Sequence, residues 1–133
     1  MMNVQAVQFF VAVSFLVIGL SHLFQPKAWL TFYQKLAAMG ALGAFAEGFL
    51  CLNFGAFIVS FHNIWQGPGI VVTLIGWAQV LKGLGRFLAP GFAVTVMARA
   101  TDDRAWYFRA GGVLALALSA FTFWIRFGLP PAR

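Results

Sequence analysis

Two charged side chains lie inside long apolar runs, where charges are rare. Glu47 and Lys82 flank the segment FHNIWQGPG at residues 61–69; if the chain turns about Trp65, Glu47 lies 18 residues before the turn and Lys82 lies 17 after it. At a rise of ~1.5 Å per helical residue, the two side chains reach nearly the same depth. Because an unpaired charge in hydrocarbon costs about 3 kcal/mol or more, we predict that they pair.

Three further polar residues could join this pair. Gln79 and Arg86 are three and four residues from Lys82 and share its helix face, and His22 lies at the same end of the first helix. We therefore predict a polar cluster of Glu47, Lys82, Arg86, Gln79 and His22. In the preferred interpretation the cluster is structural, and Glu47 neutralises a cation. In the alternative, Glu47 accepts a proton, or Lys82 and Arg86 contact an anion or a lipid headgroup.

The segment between the second and third apolar runs is interpreted mainly as a turn. Asn63, Gly67 and Pro68 are turn formers, and Trp65 is a membrane-interface anchor. His62 could bind a metal, but the surrounding segments offer too few additional ligands, so no metal site is predicted. A hydrogen bond from His62 or Asn63 to a headgroup or a quinone carbonyl is the alternative. No catalytic residue is predicted, because no nucleophile or paired-carboxylate motif occurs.

The elements that position these residues follow from the composition. The chain has 133 residues, of which 62% are hydrophobic and 9% are charged, which is outside the range of a soluble domain. Four apolar runs, at about 4–24, 41–61, 70–88 and 107–127, are long enough to cross a bilayer, and residues 26–36 predict a helix lying on the membrane surface. We expect one all-α transmembrane domain over residues 1–133, an integral membrane four-helix bundle.

The net charge of +6 could indicate a nucleic-acid partner, but the charges flank membrane segments instead of forming a basic face. Seven of the nine Lys and Arg residues lie at or between the first and second, or the third and fourth, apolar runs; Arg126 and Arg133 lie on the opposite side. The positive-inside rule then predicts that both termini are periplasmic. No nucleic-acid partner is expected.

A weak internal similarity relates the two halves of the chain. The residues 19–26, GLSHLFQP, align with residues 83–90, GLGRFLAP, through the same Gly, Leu and Pro. A duplicated helical hairpin, with its copies related by an axis along the membrane normal, would produce this similarity. Chance is the alternative, because Gly, Leu and Pro are common at the ends of membrane helices.

The same GLSHLFQP segment, together with Gly76-Trp77 and Lys82-Gly83 in the third run, resembles the DoxX-like group of small bacterial membrane proteins. The resemblance covers most of the chain. It implies a four-helix fold in the bacterial inner membrane and a setting linked to quinone chemistry, but it transfers no catalytic residue.

Two hypotheses about function follow. In the first, the protein is a non-enzymatic bundle that binds a lipid, a quinone or a larger membrane complex. In the second, it is a small proton-coupled transporter that works as a homo-oligomer with Glu47 as its coupling site. A membrane enzyme is the weakest alternative. A permanent pair between Glu47 and Lys82 would favour the first hypothesis, since a coupling carboxylate must be free to change partners.

Overall fold

A computed structural model describes residues 4–130, and these residues are almost entirely helical, with no β-strand among them. The all-α fold predicted from the sequence is confirmed. The helices are α1 (Val4–Phe24), α2 (Pro26–Ala38), α3 (Ala41–Phe61), α4 (Ile70–Leu88), α5 (Pro90–Met97) and α6 (Ala105–Gly128), the last preceded by a 3-10 turn at Asp102–Arg104. Arg133, which enters the charge asymmetry, and both chain termini lie outside the described residues.

Four helices are long and apolar enough to cross a membrane: α1, α3, α4, and α6 with its preceding turn. The chain is an integral membrane protein. Many large apolar side chains point outward, such as Val17, Leu50 and Leu81, each more than 60% exposed. An outward apolar surface of this kind would favour aggregation in water, but it suits contact with the hydrocarbon of a membrane.

Two short helices connect the long ones at one end of the bundle. α2 has 13 residues and α5 has 8. Each begins at a proline, Pro26 or Pro90, whose fixed φ and missing N–H suit the first position of a helix. The sequence predicts α2 but not α5, because the residues after Pro90 are nearly all apolar and show no polar face.

The long helices form two pairs. α1 packs along α6, and α3 packs along α4, whereas contacts between the pairs are much sparser. We call α1 with α6 the first pair, and α3 with α4 the second pair. The end of the bundle that carries α2, α5 and the connection from α5 to α6 is the basic end, and the end that carries residues 62–69 is the turn end.

The whole fold repeats with an offset of 64 residues, the separation of Pro26 and Pro90. α1, α2 and α3 correspond in order to α4, α5 and α6, and the first helix of each half packs against the last helix of the other. The internal similarity noticed in eight residues therefore extends to the architecture. The repeating unit is long helix, short helix, long helix, and its two long helices do not form the hairpin expected from the sequence.

Close helix contacts repeat with the same offset. A Cβ atom built on Gly48 would lie 2.6 Å from Arg86 Cβ, and one built on Gly112 would lie 3.0 Å from His22 Cβ. Gly112 follows Gly48 by 64 residues, and Arg86 follows His22 by 64. Small residues thus allow α3 to approach α4, and α6 to approach α1, at equivalent places.

Two apolar clusters form the core, and the one at the turn end joins the helix pairs. The cluster at the turn end contains Val7, Val11, Ile58 and Val72. The cluster at the basic end contains Leu36, Ala44, Ala93 and Met97, so that α2 and α5 contribute to it. These clusters and the glycine contacts together fix the positions of the helices and of the polar residues that they carry.

Candidate functional site

Glu47 is the centre of a buried polar cluster at the basic end. Its side chain is 6% exposed, and its carboxylate lies 2.7 Å from Lys82 Nζ through Oε1 and 2.5 Å from Arg86 Nε through Oε2. The pairing of Glu47 with Lys82 that matched depth predicts is therefore present, and Arg86 joins it. Lys82 is 38% exposed on its side chain, whereas Arg86 is 12% exposed. Arg86 is thus the more buried partner.

Tyr33 is a member of this cluster that the sequence analysis misses. Its hydroxyl donates a hydrogen bond to Glu47 Oε1 over 3.0 Å. Burial raises the pKa of Tyr33 above its ordinary value, so the phenol keeps its proton and stays a donor. The sequence does contain a signal for this contact, because a tyrosine on the apolar face of an amphipathic helix needs a polar partner for its hydroxyl.

His22 and Gln79 lie apart from Glu47, which corrects the predicted five-residue cluster. The His22 Nδ1–H donates to the carbonyl of Ile18 over 2.8 Å, and the ring stacks on Trp29 with centroids 4.1 Å apart. Gln79 packs instead where α4 approaches Gly55. Equal depth does not determine which way a helix faces, and His22 belongs to the other helix pair.

The charged cluster occurs at only one of the two equivalent helix pairs, that of α3 with α4. The residue 64 positions after Glu47 is Gly111, and the residue 64 positions before Lys82 is Ile18. His22 takes the place of Arg86 in the other half. The two helix pairs share their packing but not this chemistry, so the cluster is not a requirement of the fold.

A cavity of about 330 Å³ opens beside the cluster. Arg86 and Tyr33 lie in its wall, together with residues from the end of α5, the connection after it and the start of α6. We call it the arginine pocket. Its lining residues are Tyr33, Arg86, Val96, Met97, Arg99, Ala100, Arg104, Tyr107 and Phe108.

The rim of the arginine pocket is held by a contact between the two halves. Gln34 on α2 donates from Nε2 to the carbonyl of Ala100 over 3.0 Å. This hydrogen bond ties the connection after α5 to α2 and fixes the rim of the pocket. A preformed site loses less conformational entropy on binding.

At the turn end, His62 is fully buried, although the sequence suggests a surface turn. His62 Nε2 lies 3.3 Å from Gln8 Nε2, and Nδ1 lies 3.2 Å from Thr73 Oγ1. Burial lowers the pKa of His62 below its ordinary value. A headgroup or a quinone therefore cannot reach this ring as the alternative interpretation requires. Gln8 and Thr73 are partners that the sequence does not reveal.

The rest of the turn agrees with its predicted role. Asn63 Oδ1 accepts hydrogen bonds from Trp65 Nε1 at 3.0 Å and Trp77 Nε1 at 3.2 Å, which ties the turn to α4. Trp65 is 54% exposed, as an interface anchor would be. Gly67 has φ of 63° and its carbonyl accepts from the N–H of Ile70, the first residue of α4. A side chain at position 67 would be strained by that φ.

Comparison with known proteins finds no matching family model, no matching curated protein and no matching solved structure. The resemblance to DoxX-like proteins therefore stays a prediction. Inference about function rests on the geometry of the described residues.

That geometry is suited to binding an anion. Within residues 4–130 no group of three or more His, Cys, Asp or Glu side chains is placed to share a metal ion. The carboxylate of Glu47 is already held by Arg86, Lys82 and Tyr33. The arginine pocket, in contrast, offers guanidinium groups beside an apolar wall.

Proposed function

We propose that the protein binds an anionic phospholipid in the arginine pocket and carries out no chemical reaction on it. The observation that carries this proposal is the lining of the cavity, in which Arg86, Arg99 and Arg104 lie beside Val96, Met97 and Phe108. A phosphate group suits guanidinium donors, and an acyl chain suits the apolar wall.

Donors remain available in the pocket although Glu47 neutralises part of the cluster. Arg86 reaches Glu47 through Nε, so its terminal amino groups are left for a ligand. No salt bridge within residues 4–130 engages Arg99 or Arg104. Of the nearby acids, Asp103 accepts a hydrogen bond from the Thr101 hydroxyl, and Asp102 is exposed. The pocket thus keeps an excess of positive charge.

The depth of the pocket fits a headgroup. Trp106 and Tyr107, at the start of α6, are both more than half exposed and stack on each other, as aromatic residues at a membrane interface do. Tyr107 lines the pocket mouth. A lipid phosphate at this level would have its chains directed into the hydrocarbon.

The basic end is proposed to face the cytoplasm of a bacterial inner membrane, as the Lys and Arg asymmetry predicts. Basic pockets between helices on that side bind acidic headgroups. The proton-coupled transport hypothesis has less support, because Glu47 has three donors and a coupling site needs a carboxylate that can be released.

Native mass spectrometry of the detergent-purified protein tests the proposal. The chain would be titrated with phosphatidylglycerol, with phosphatidylcholine and with inorganic phosphate as a competitor. We expect phosphatidylglycerol to bind most tightly. Replacing both Arg99 and Arg104 with Gln should weaken its binding about 30-fold, since each basic residue near a membrane contributes about 1 kcal/mol.

Two further variants distinguish the effect of the pocket volume from the effect of a charge outside the pocket. Ala100→Leu adds volume to the pocket wall without changing its charge and should also weaken binding. Arg126→Gln removes a cation that lies over Phe127, outside the pocket, and should leave binding unchanged. Equal binding of the two phospholipids, or full binding by the double Arg variant, would contradict the proposal. Displacement of the lipid by inorganic phosphate would assign the pocket to a free anion instead.

A further inference from the structure

Gln8 and His62 form a hydrogen bond between the two helix pairs at the turn end. Gln8 belongs to α1 in the first pair, and His62 directly follows α3 in the second. We propose that this contact is a latch. It holds the two pairs together at the turn end, and acid on that side of the membrane opens it. The latch is independent of lipid binding in the arginine pocket.

The hydrogen bonds around His62 define a neutral ring. The amide nitrogen of Gln8 can only donate, so His62 Nε2 must be the acceptor. Nδ1 then carries the proton and donates to Thr73 Oγ1. The Thr73 hydroxyl also accepts from the N–H of Ile64 over 2.8 Å and points toward the carbonyl of His62. In this arrangement every polar atom of the network has a partner while Nε2 lacks a proton.

A second proton on His62 would break the latch. It would place an N–H on Nε2 against the Gln8 amide, so that two donors face each other. His62 and Thr73 are fully buried and Gln8 is 6% exposed, so water has little access to replace the lost contact. If the Gln8 amide turned to offer its oxygen, a buried imidazolium would still lack a counter-charge.

No carboxylate side chain is placed to supply that counter-charge. The chain contains three acidic residues, Glu47, Asp102 and Asp103, and all of them lie at the basic end. α1 and residues 63–69 carry no Asp, Glu, Lys or Arg, and the charges of α3 and α4 are at their far ends. On α6, Arg126 is a cation and would oppose a second positive charge.

Opening the latch would act on the packing of the helix pairs because the apolar cluster of Val7, Val11, Ile58 and Val72 joins α1 to α3 and α4 at the same end. Burial lowers the pKa of His62 from its ordinary value of 6.5, so the closed form holds the neutral ring. The closed form is fully stable above that value and weakens as the pH falls below it.

Distance measurements between spin labels test the latch. In a Cys51→Ser background, cysteines replacing the exposed residues Gln5 and Gln66 would report the separation of α1 from the turn. We expect the distance in nanodiscs to lengthen by a few ångström and its distribution to broaden between about pH 7.5 and about pH 5. Labels at Leu50 and Leu81, both on the second pair, should show no change.

Two variants test whether the imidazole of His62 causes the response to acid. His62→Gln cannot gain a charge, so its distances should be the same at both pH values. Gln8→Glu supplies the missing carboxylate and should keep the latch closed in acid, which provides a test if the first variant does not fold. An unchanged distance in the parent protein, or an acid response in either variant equal to that of the parent, would overturn the proposal.

Discussion

Glu47 Oε2 on α3 accepts a hydrogen bond from Arg86 Nε on α4 over 2.5 Å, one turn of α4 from the Lys82 that bonds the other oxygen. The second helix pair is therefore joined at the basic end by one carboxylate and two cations. Such an arrangement is stable only as a unit, because each charge would be costly in a low dielectric without the others.

Removing one member of this unit should destabilise the protein more than removing two opposite charges. We expect Glu47→Ala to lower the free energy of unfolding by about 3–5 kcal/mol, since it leaves two cations without a partner. Adding Arg86→Ala to it should recover part of the loss. Thermal unfolding in a mild detergent would measure both, with Gln79→Ala as a control on the same helix. Additive losses would show that Glu47 and Arg86 are not coupled.

The repeated glycine contacts predict opposite effects for neighbouring glycines. A Cβ atom on Gly112 would lie 2.8 Å from the carbonyl oxygen of Gly19, whereas one on Gly111 meets nothing within 4 Å. We expect Gly112→Ala to destabilise the bundle by about 1–3 kcal/mol through overpacking. Gly111→Ala should be neutral or stabilising by up to about 1 kcal/mol, because alanine favours helix.

The second helix pair offers a similar comparison at Gly83 and Gly85. A Cβ atom on Gly83 would lie 2.7 Å from Leu52 Cβ, and one on Gly85 meets nothing within 4 Å. In an unfolding assay, the alanine variants of Gly112 and Gly83 should lose stability, whereas those of Gly111 and Gly85 should not. Similar losses at Gly111 and Gly112 would contradict the α1 to α6 packing described above.

Tyr33 predicts a loss of stability at alkaline pH. Burial raises its pKa above the ordinary value of about 10, so the folded protein holds the phenol proton more tightly than the unfolded chain does. Stability from this group is complete below that value and is lost as the pH rises through the higher folded value. Tyr33→Phe should flatten this alkaline decline and lower stability at neutral pH by about 1–3 kcal/mol. Tyr107→Phe, at an exposed position, is the matched control.

The orientation of the bundle is a separate prediction. The asymmetry of Lys and Arg predicts that the basic end is cytoplasmic and the turn end lies outside. Cysteines replacing the exposed residues Thr101 and Gln66 in a Cys51→Ser background would be treated with a membrane-impermeant thiol reagent on intact spheroplasts. Position 66 should react and position 101 should not. Preferential reaction of position 101 would reverse the orientation and move the proposed lipid site to the outer leaflet.

The long helices and the pairing of Glu47 with Lys82 follow directly from the sequence. Length and hydropathy define a membrane span without any tertiary information. Depth follows from the rise per residue, and an isolated charge in hydrocarbon demands a partner at its own depth. Both features depend only on distances along a helix axis.

Other features of the site depend on rotation about that axis and on contacts between distant segments. His22 has a depth suited to the cluster but faces Trp29. The burial of His62 depends on Gln8, which is 54 residues away in the chain. α5 is too short and too uniformly apolar to show a helical period. None of these facts can be obtained from local pattern alone.

The unequal lengths of α2 and α5 explain where the arginine pocket lies. Leu36, in the last turns of α2, is buried at 6% exposure, and its counterpart 64 residues later is Ala100, which follows the end of α5 and lines the arginine pocket. One copy continues as helix and fills its space with a leucine, whereas the other stops early and has an alanine there. The opening thus lies where the second half of the fold departs from the first, and extending α5 by one turn with a large apolar side chain at position 100 should fill it.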